Sequence, residues 1–100
     1  MIRHVVMWKL ADHAEGASKA SNAARIKALL EACAGRIPGL RSLDVGIDAR
    51  LDPAAWDVVL VTEFDDRAAL DAYQVHPLHE EAKAFIGKVR SDRSAVDYLV

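Results

Sequence analysis

A chain of 100 residues is long enough to close one hydrophobic core, and 52% hydrophobic against 28% charged residues excludes the low-hydrophobicity, high-charge regime of disorder. Thirteen basic and 15 acidic residues leave a net charge of −2 with the basic ones scattered, which excludes the one-sided cationic footprint that holds nucleic acid. A lone cysteine excludes an internal disulfide framework, so residues 1–100 read as one domain that folds on packing alone.

Residues 2–10 are rich in β-branched and aromatic types and read as a first strand, with Ile2, His4, Val6, Trp8 and Leu10 on one face and Arg3, Val5, Met7 and Lys9 on the other. His4 and Lys9 interrupt the apolar run and no small-residue cleavage site follows, so a signal peptide is not expected. No apolar run approaches a membrane span, so no membrane partner is expected and the location is read as cytoplasmic.

Beyond a polar stretch holding His13, residues 17–34 carry Ala23, Ile26, Leu30 and Cys33 at helical spacing, with Gly35 as a stop. Cys33 reads as a small buried hydrophobe. After Pro38-Gly39, residues 40–48 alternate Leu43, Val45 and Ile47 against Ser42, Asp44 and Gly46, a half-buried second strand. Asp52-Pro53 marks a hairpin connection to a third strand over 56–64. That strand sets Val58, Leu60, Thr62 and Phe64 on one face and Val59 and Val61 on the other, with Asp57 and Glu63 at the ends of the second face.

Asp65-Asp66 caps a short helix from Arg67, and Pro77 fits the first position of a further helix with the apolar stripe Leu78, Ala82, Phe85, Ile86 and Val89. Residues 94–100 close the chain as a fourth strand, Val96 and Tyr98 opposite Ala95, Asp97 and Leu99. The order β-α-β-β-α-β predicts an α+β ferredoxin-like fold, a four-stranded antiparallel sheet with helices on one face.

Val5, Met7, Val59 and Val61 then fall on the uncovered face. Burying about eight such side chains across a pair of chains at ~1.5–3 kcal/mol each sets roughly 12–24 kcal/mol against an association cost of ~4–15 kcal/mol. A homodimer through the open sheet face, closing a dimeric α+β barrel, is the expectation.

Tyr73, His76 and His79 fall at three-residue spacing around the junction before the last helix. Pro77 makes His76 the cap and puts His79 in the first turn, where the helix dipole disfavours the imidazolium and keeps the ring neutral, the state a general base needs. One reading of His76-Pro77-Leu78-His79 is a lock on the helix junction, the histidines bonding free backbone groups. Another is a pocket for an apolar, aromatic or carbonyl-bearing small molecule, lined by Val6, Trp8, Ile26, Leu30, Leu60, Thr62, His76 and Phe85. His4 reads either as part of that pocket or as a core histidine bonded to a carbonyl or to Tyr73. His76 and His79 with Glu80 fall short of a closed metal site, so neither a metal nor another cofactor is expected.

The opening Ile2-Arg3-His4-Val5-Val6-Met7-Trp8-Lys9-Leu10, the pair Ile37-Pro38-Gly39-Leu40 and Val45-Gly46, and the segment from Val59 to Asp66 together form a pattern. With Tyr73-Gln74-Val75-His76-Pro77-Leu78-His79 and the closing Val96-Asp97-Tyr98, it resembles the stress-responsive A/B barrel (Dabb) family over essentially the whole chain. The resemblance implies the dimeric α+β barrel and says much less about chemistry, since members include plant stress-induced proteins of no assigned reaction and a small polyketide cyclase that needs no cofactor. By resemblance to that cyclase, His79 takes the place of the catalytic base, with Tyr73 and His4 orienting a substrate oxygen. Ala82 and Arg93 stand where the resemblance implies larger or apolar pocket residues, and Trp8 where it implies an aliphatic one, so the cavity differs in shape. Two functions follow as alternatives: a cofactor-independent enzyme moving protons with His79 as base, or a non-catalytic stress-response or ligand-binding module. A cofactor-free monooxygenase, which shares the barrel architecture, fits the histidine run less well.

Overall fold

The structure, a computed structural model, describes residues 1–49 and 53–100; Asp52 of the expected Asp52-Pro53 connection lies outside them. Four long strands, β1 (Ile2–Leu10), β4 (Leu40–Ile47), β5 (Val58–Phe64) and β6 (Arg90–Leu99), form one antiparallel sheet in the order β4-β5-β1-β6. Helices α1 (Lys19–Glu31), α2 (Arg67–Gln74) and α3 (Pro77–Val89) connect them, and β2 (His13–Ala14) pairs with β3 (Ala17–Ser18) as a minute hairpin. This is the ferredoxin-like α+β fold that the strand and helix order predicts.

One face of the sheet carries the core. His4, Val6, Trp8 and Leu10 of β1 and Val58, Leu60, Thr62 and Phe64 of β5 are all buried, whereas the alternate residues Val5, Met7, Val59 and Val61 are half-buried. Ala23, Ile26 and Leu30 of α1 and Ala82, Ile86 and Val89 of α3 pack into the same cluster as Val6, Trp8 and Leu60. A second cluster under α2 gathers Cys33, Ile37, Phe64, Leu70 and Tyr73. Gly39 sits at φ +81°, and a Cβ there would stand 2.5 Å from the Cβ of Ala69, so the close approach of α2 to the start of β4 requires glycine.

Four local departures from the sequence reading have physical causes. Helix α1 starts at Lys19 because Ala17 and Ser18 are drawn into the β2–β3 hairpin, turned by Glu15 and Gly16 at positive φ, and Ser18 caps the helix by accepting from the Ser21 N–H. It ends at Glu31, earlier than Gly35. Strand β6 starts at Arg90, directly after α3 and ahead of the expected Ser94, because its polar first residues pair with the end of β1 across a register shift at Lys9/Leu10. Asp57, expected at the end of the open face, precedes β5 and is buried.

Asp57 ties three segments together. Its carboxylate accepts the Leu10 N–H at 2.8 Å and faces Lys19 Nζ at 3.4 Å, its own N–H donates to the Trp8 carbonyl, and its carbonyl accepts from Asp48. Asp57→Ala leaves a buried N–H without its acceptor and is expected to lower unfolding free energy by about 2 kcal/mol in urea titrations. Asp57→Asn, which keeps an oxygen for Leu10, should lose less than half of that.

On the open face the register aligns three rows across the sheet. Ser42, Glu63, Arg3 and Tyr98 form a polar row, in which Arg3 donates to both Glu63 and the Tyr98 hydroxyl. Asp44, Val61, Val5 and Val96 form the next, followed by Gly46, Val59, Met7 and Ser94. The contributions of β4 and β6 that periodicity leaves unassigned are thus Gly46, Val96 and Tyr98, with Val96 56% exposed in the single chain. Among the described residues no helix is long and apolar enough to cross a membrane.

Candidate functional site

Tyr73 is the next-to-last residue of α2, Val75 terminates the helix, and His76 caps α3 by accepting the Leu78 N–H on Nδ1 at 3.2 Å, with Pro77 in the first helical turn. The His76 N–H in turn donates to the Tyr73 carbonyl, and its carbonyl accepts from Glu80. His76 therefore commits its Nδ1 and both backbone polar groups to the junction and does not line the cavity described next. His79, one turn into α3, is 5% exposed, and its ring stacks on Tyr73 with centroids 3.9 Å apart.

A cavity of about 350 Å³ opens between α3 and the sheet. Its floor is Val6, Trp8 and Leu60, its two histidines are His4 and His79, and its rim carries Lys83, Arg90 and Arg93. The volume lies at the small end of the range in which proteins hold small molecules. Along α3 and into β6, His79, Lys83, Ile86, Gly87 and Arg90 recur at steps of four, three, one and three, one stripe of a helix surface turned to the void.

Burial pushes the His79 imidazole down to about 4, and the neighbouring charge of Lys83 and then His4 pushes the same way. Loss of water is the largest of these causes, and the dipole of α3 expected from the sequence acts in the same direction. His79 Nδ1 is buried without a hydrogen-bond partner among the described residues, which leaves Nε2 as the nitrogen on the cavity side. His4 is held differently. Its Nδ1 bonds the Asp97 carboxylate across the β1–β6 ladder, which fixes the orientation of the ring in the cavity wall.

Tyr73 lies behind His79, outside the cavity wall. It is fully buried, packs on Phe64 at 5.0 Å between centroids, and its hydroxyl has no partner among the described residues. Burial raises its phenol above the ordinary value, so it stays protonated. Tyr73 therefore does not line the cavity and contacts the His79 ring instead. Four of the expected lining residues are also elsewhere, beside His76. Ile26 and Leu30 are fully buried on the inner face of α1, and Thr62 is fully buried with its hydroxyl donating to the His4 carbonyl. Phe85 is half-buried against the core with Arg25 stacked 4.5 Å above it. Helical spacing marked Ile26, Leu30 and Phe85, and strand alternation Thr62, as inward-facing, but inward-facing side chains fill space.

The residues missed are the ones that leave space or surround it: Gln74, Lys83, Ile86, Gly87 and Arg90; Arg93, at a pocket position by the resemblance, lines it too. Extending the helical stripe from His79 would have found four of them. Gly87 is notable because a Cβ there would meet nothing within 4 Å, so a glycine in the last turn of α3 borders open volume. Among the described residues no three His, Cys, Asp or Glu side chains gather where they could hold a metal ion.

None of the curated proteins compared matches the chain. Solved structures do. A dimeric protein of ferredoxin-like fold from Bacteroides fragilis is 28% identical with a TM-score of 0.85, covering 99% of this chain and 95% of that one. A dimeric ferredoxin-like protein from Thermobifida fusca is 26% identical with a TM-score of 0.84, covering 99% and 90%. A putative antibiotic biosynthesis monooxygenase from Nitrosomonas europaea, 18% identical over 100% and 98% with a TM-score of 0.74, shares the fold alone. Residues 2–100 match the family model described as the stress responsive A/B barrel domain, and the chain belongs to that family.

Proposed function

We propose that this protein is a homodimer joined through its open sheet face, and that each subunit binds a small apolar or carbonyl-bearing molecule in the cavity and moves a proton on it without a cofactor. The observation that carries the reading is the cavity itself: a hydrocarbon floor of Val6, Trp8 and Leu60 with two histidines in its wall, one of them kept neutral by burial. In this reading His79 is the base through Nε2, and Tyr73 is a positioning residue that fixes the imidazole plane by stacking. His4, oriented by its bond to Asp97, offers a polar partner for the ligand oxygen. The dimer is supported by the apolar rows of the open face and by the dimeric proteins from Bacteroides fragilis and Thermobifida fusca.

Proton exchange tests the catalytic half. Aryl methyl ketones incubated in D₂O with the protein should lose their α-proton NMR signals faster than in buffer, and His79→Gln should return the rate to background with fold and dimer unchanged. Exchange that persists in His79→Gln removes His79 from the mechanism. Binding with no exchange would favour a ligand-binding module, a reading supported by the absence of any acceptor for His79 Nδ1 among the described residues.

A further inference from the structure

The charge around the cavity is at odds with the charge of the chain. The protein carries −2 overall, yet the wall holds Lys83, Arg90 and Arg93 and not one carboxylate among the described residues. Lys83 is partly spoken for, since its ammonium contacts Glu80 at 3.2 Å and the Gln74 carbonyl at 3.3 Å. Among the described residues the guanidinium groups of Arg90 and Arg93 have no hydrogen-bond or ion-pair partner; the neighbouring Asp92 carboxylate bonds the Arg93 backbone N–H instead.

Both arginines also stand on the helix side of the sheet. Arg93 pairs with Trp8 and Arg90 with Leu10, each a residue whose side chain is buried under the helices, so neither belongs to the face that would meet a second copy. Two planar cations without counter-ions at the mouth of a pocket with an apolar floor form a directional receptor, because a guanidinium presents paired N–H donors that match a carboxylate. The floor takes what remains of the ligand.

We infer that the ligand of this cavity is an organic anion, a carboxylate on a flat aromatic or alicyclic body, with Arg90 and Arg93 holding the charged end and Val6, Trp8 and Leu60 holding the body. The inference rests on the cavity reading above and narrows it from small molecules in general to acids. Gly87 supplies the room: as the one residue of the stripe without a side chain, it lets the body of the ligand lie against α3.

Two compounds of one shape separate charge from shape. 2-Naphthoate and its neutral counterpart 2-naphthamide are titrated at pH 7 into the protein, followed by NMR at the Trp8 indole N–H. Naphthoate is expected to bind at least about tenfold more tightly, in line with charge-assisted bonds to two arginines. In the double variant Arg90→Gln/Arg93→Gln that preference should vanish while naphthamide binding stays as it was. Equal affinities in the unaltered protein, or a preference that survives the double variant, overturn the inference and leave the cavity reading standing. Gly87→Leu fills the void without straining the helix, since leucine is the better helix former, and should abolish binding of both compounds with the melting temperature maintained. Binding undiminished in a folded Gly87→Leu, or no binding of either compound at millimolar concentration, overturns the cavity reading and this inference together.

Discussion

Val5→Lys is expected to yield a folded monomer from a protein that otherwise sediments as a dimer at micromolar concentration. Val5 lies at the centre of the open face, on β1, flanked by Val61 of β5 and Val96 of β6. In the single chain that position is half-buried and reaches solvent, so a lysine there keeps its ammonium wet and the sheet intact. In a face-to-face pair the twofold axis doubles the change: each copy loses a valine from the contact and brings a charge into it. Desolvating an unpaired ammonium costs several kcal/mol per ion, so a total of about 4 kcal/mol or more is expected, a rise of about 10³-fold in the dissociation constant.

The same variant tells the face from the edges. Strands β4 and β6 both end the sheet, and β6 is exposed along its full length, so a pair formed by lengthening the sheet at β6 is the physical competitor. Edge pairing uses backbone groups of β6 and leaves Val5→Lys dimeric. Arg67→Ser, on the helix side, serves as the control that should change nothing. A wild-type monomer, or a variant that still sediments as a dimer, ends the face-to-face proposal.

Strands β1 and β5 were legible because alternation there is nearly complete, and the same alternation put Val5, Met7, Val59 and Val61 on the face away from the core, where they are half-buried. The helix junction was legible for a different reason: proline at the first helical position dictates which residue caps, and His76 does so. The first half of β6 was not legible. Arg90-Ser91-Asp92-Arg93 has no apolar period, and only pairing with β1 makes it a strand. Arg90, which reads from the sequence as the end of the last helix, borders the cavity together with Arg93. Asp57 was misplaced by the opposite fault. Alternation put it outside, whereas the orphan N–H of Leu10 holds it inside. Hydrophobic pattern reports which side chains leave water; a void is set by where side chains end, as at Gly87, and pattern does not carry that.

His79→Gln is expected to remove a pH dependence of stability that the unaltered protein shows between about pH 6.5 and pH 4. The folded chain takes up a proton on His79 only near pH 4, because burial and the charges of Lys83, His4 and Arg93 oppose it and Glu80 alone among the named neighbours favours it. The unfolded chain takes it up near the ordinary value of 6.5. In the window between, the unfolded state binds more protons, so stability rises with pH through the window and is lost as pH falls through it. At 1.36 kcal/mol per unit of displacement, the loss from pH 7 to pH 4 is about 3 kcal/mol. Carboxylates elsewhere titrate in the same range, and subtracting the urea-derived stability of His79→Gln at each pH cancels them, leaving the histidine alone. The exchange experiment should feel the same residue as a fall of about 10²- to 10⁴-fold, the usual contribution of a positioned base. A difference curve flat between pH 7 and pH 4 would mean that water reaches the imidazole freely, and the ring would then be a surface group with no claim on the proton chemistry. Bound 2-naphthoate should narrow the window from its acid end, because its carboxylate offsets the cations that depress the imidazolium while the unfolded value stays at 6.5, and an unchanged window would place the anion away from His79.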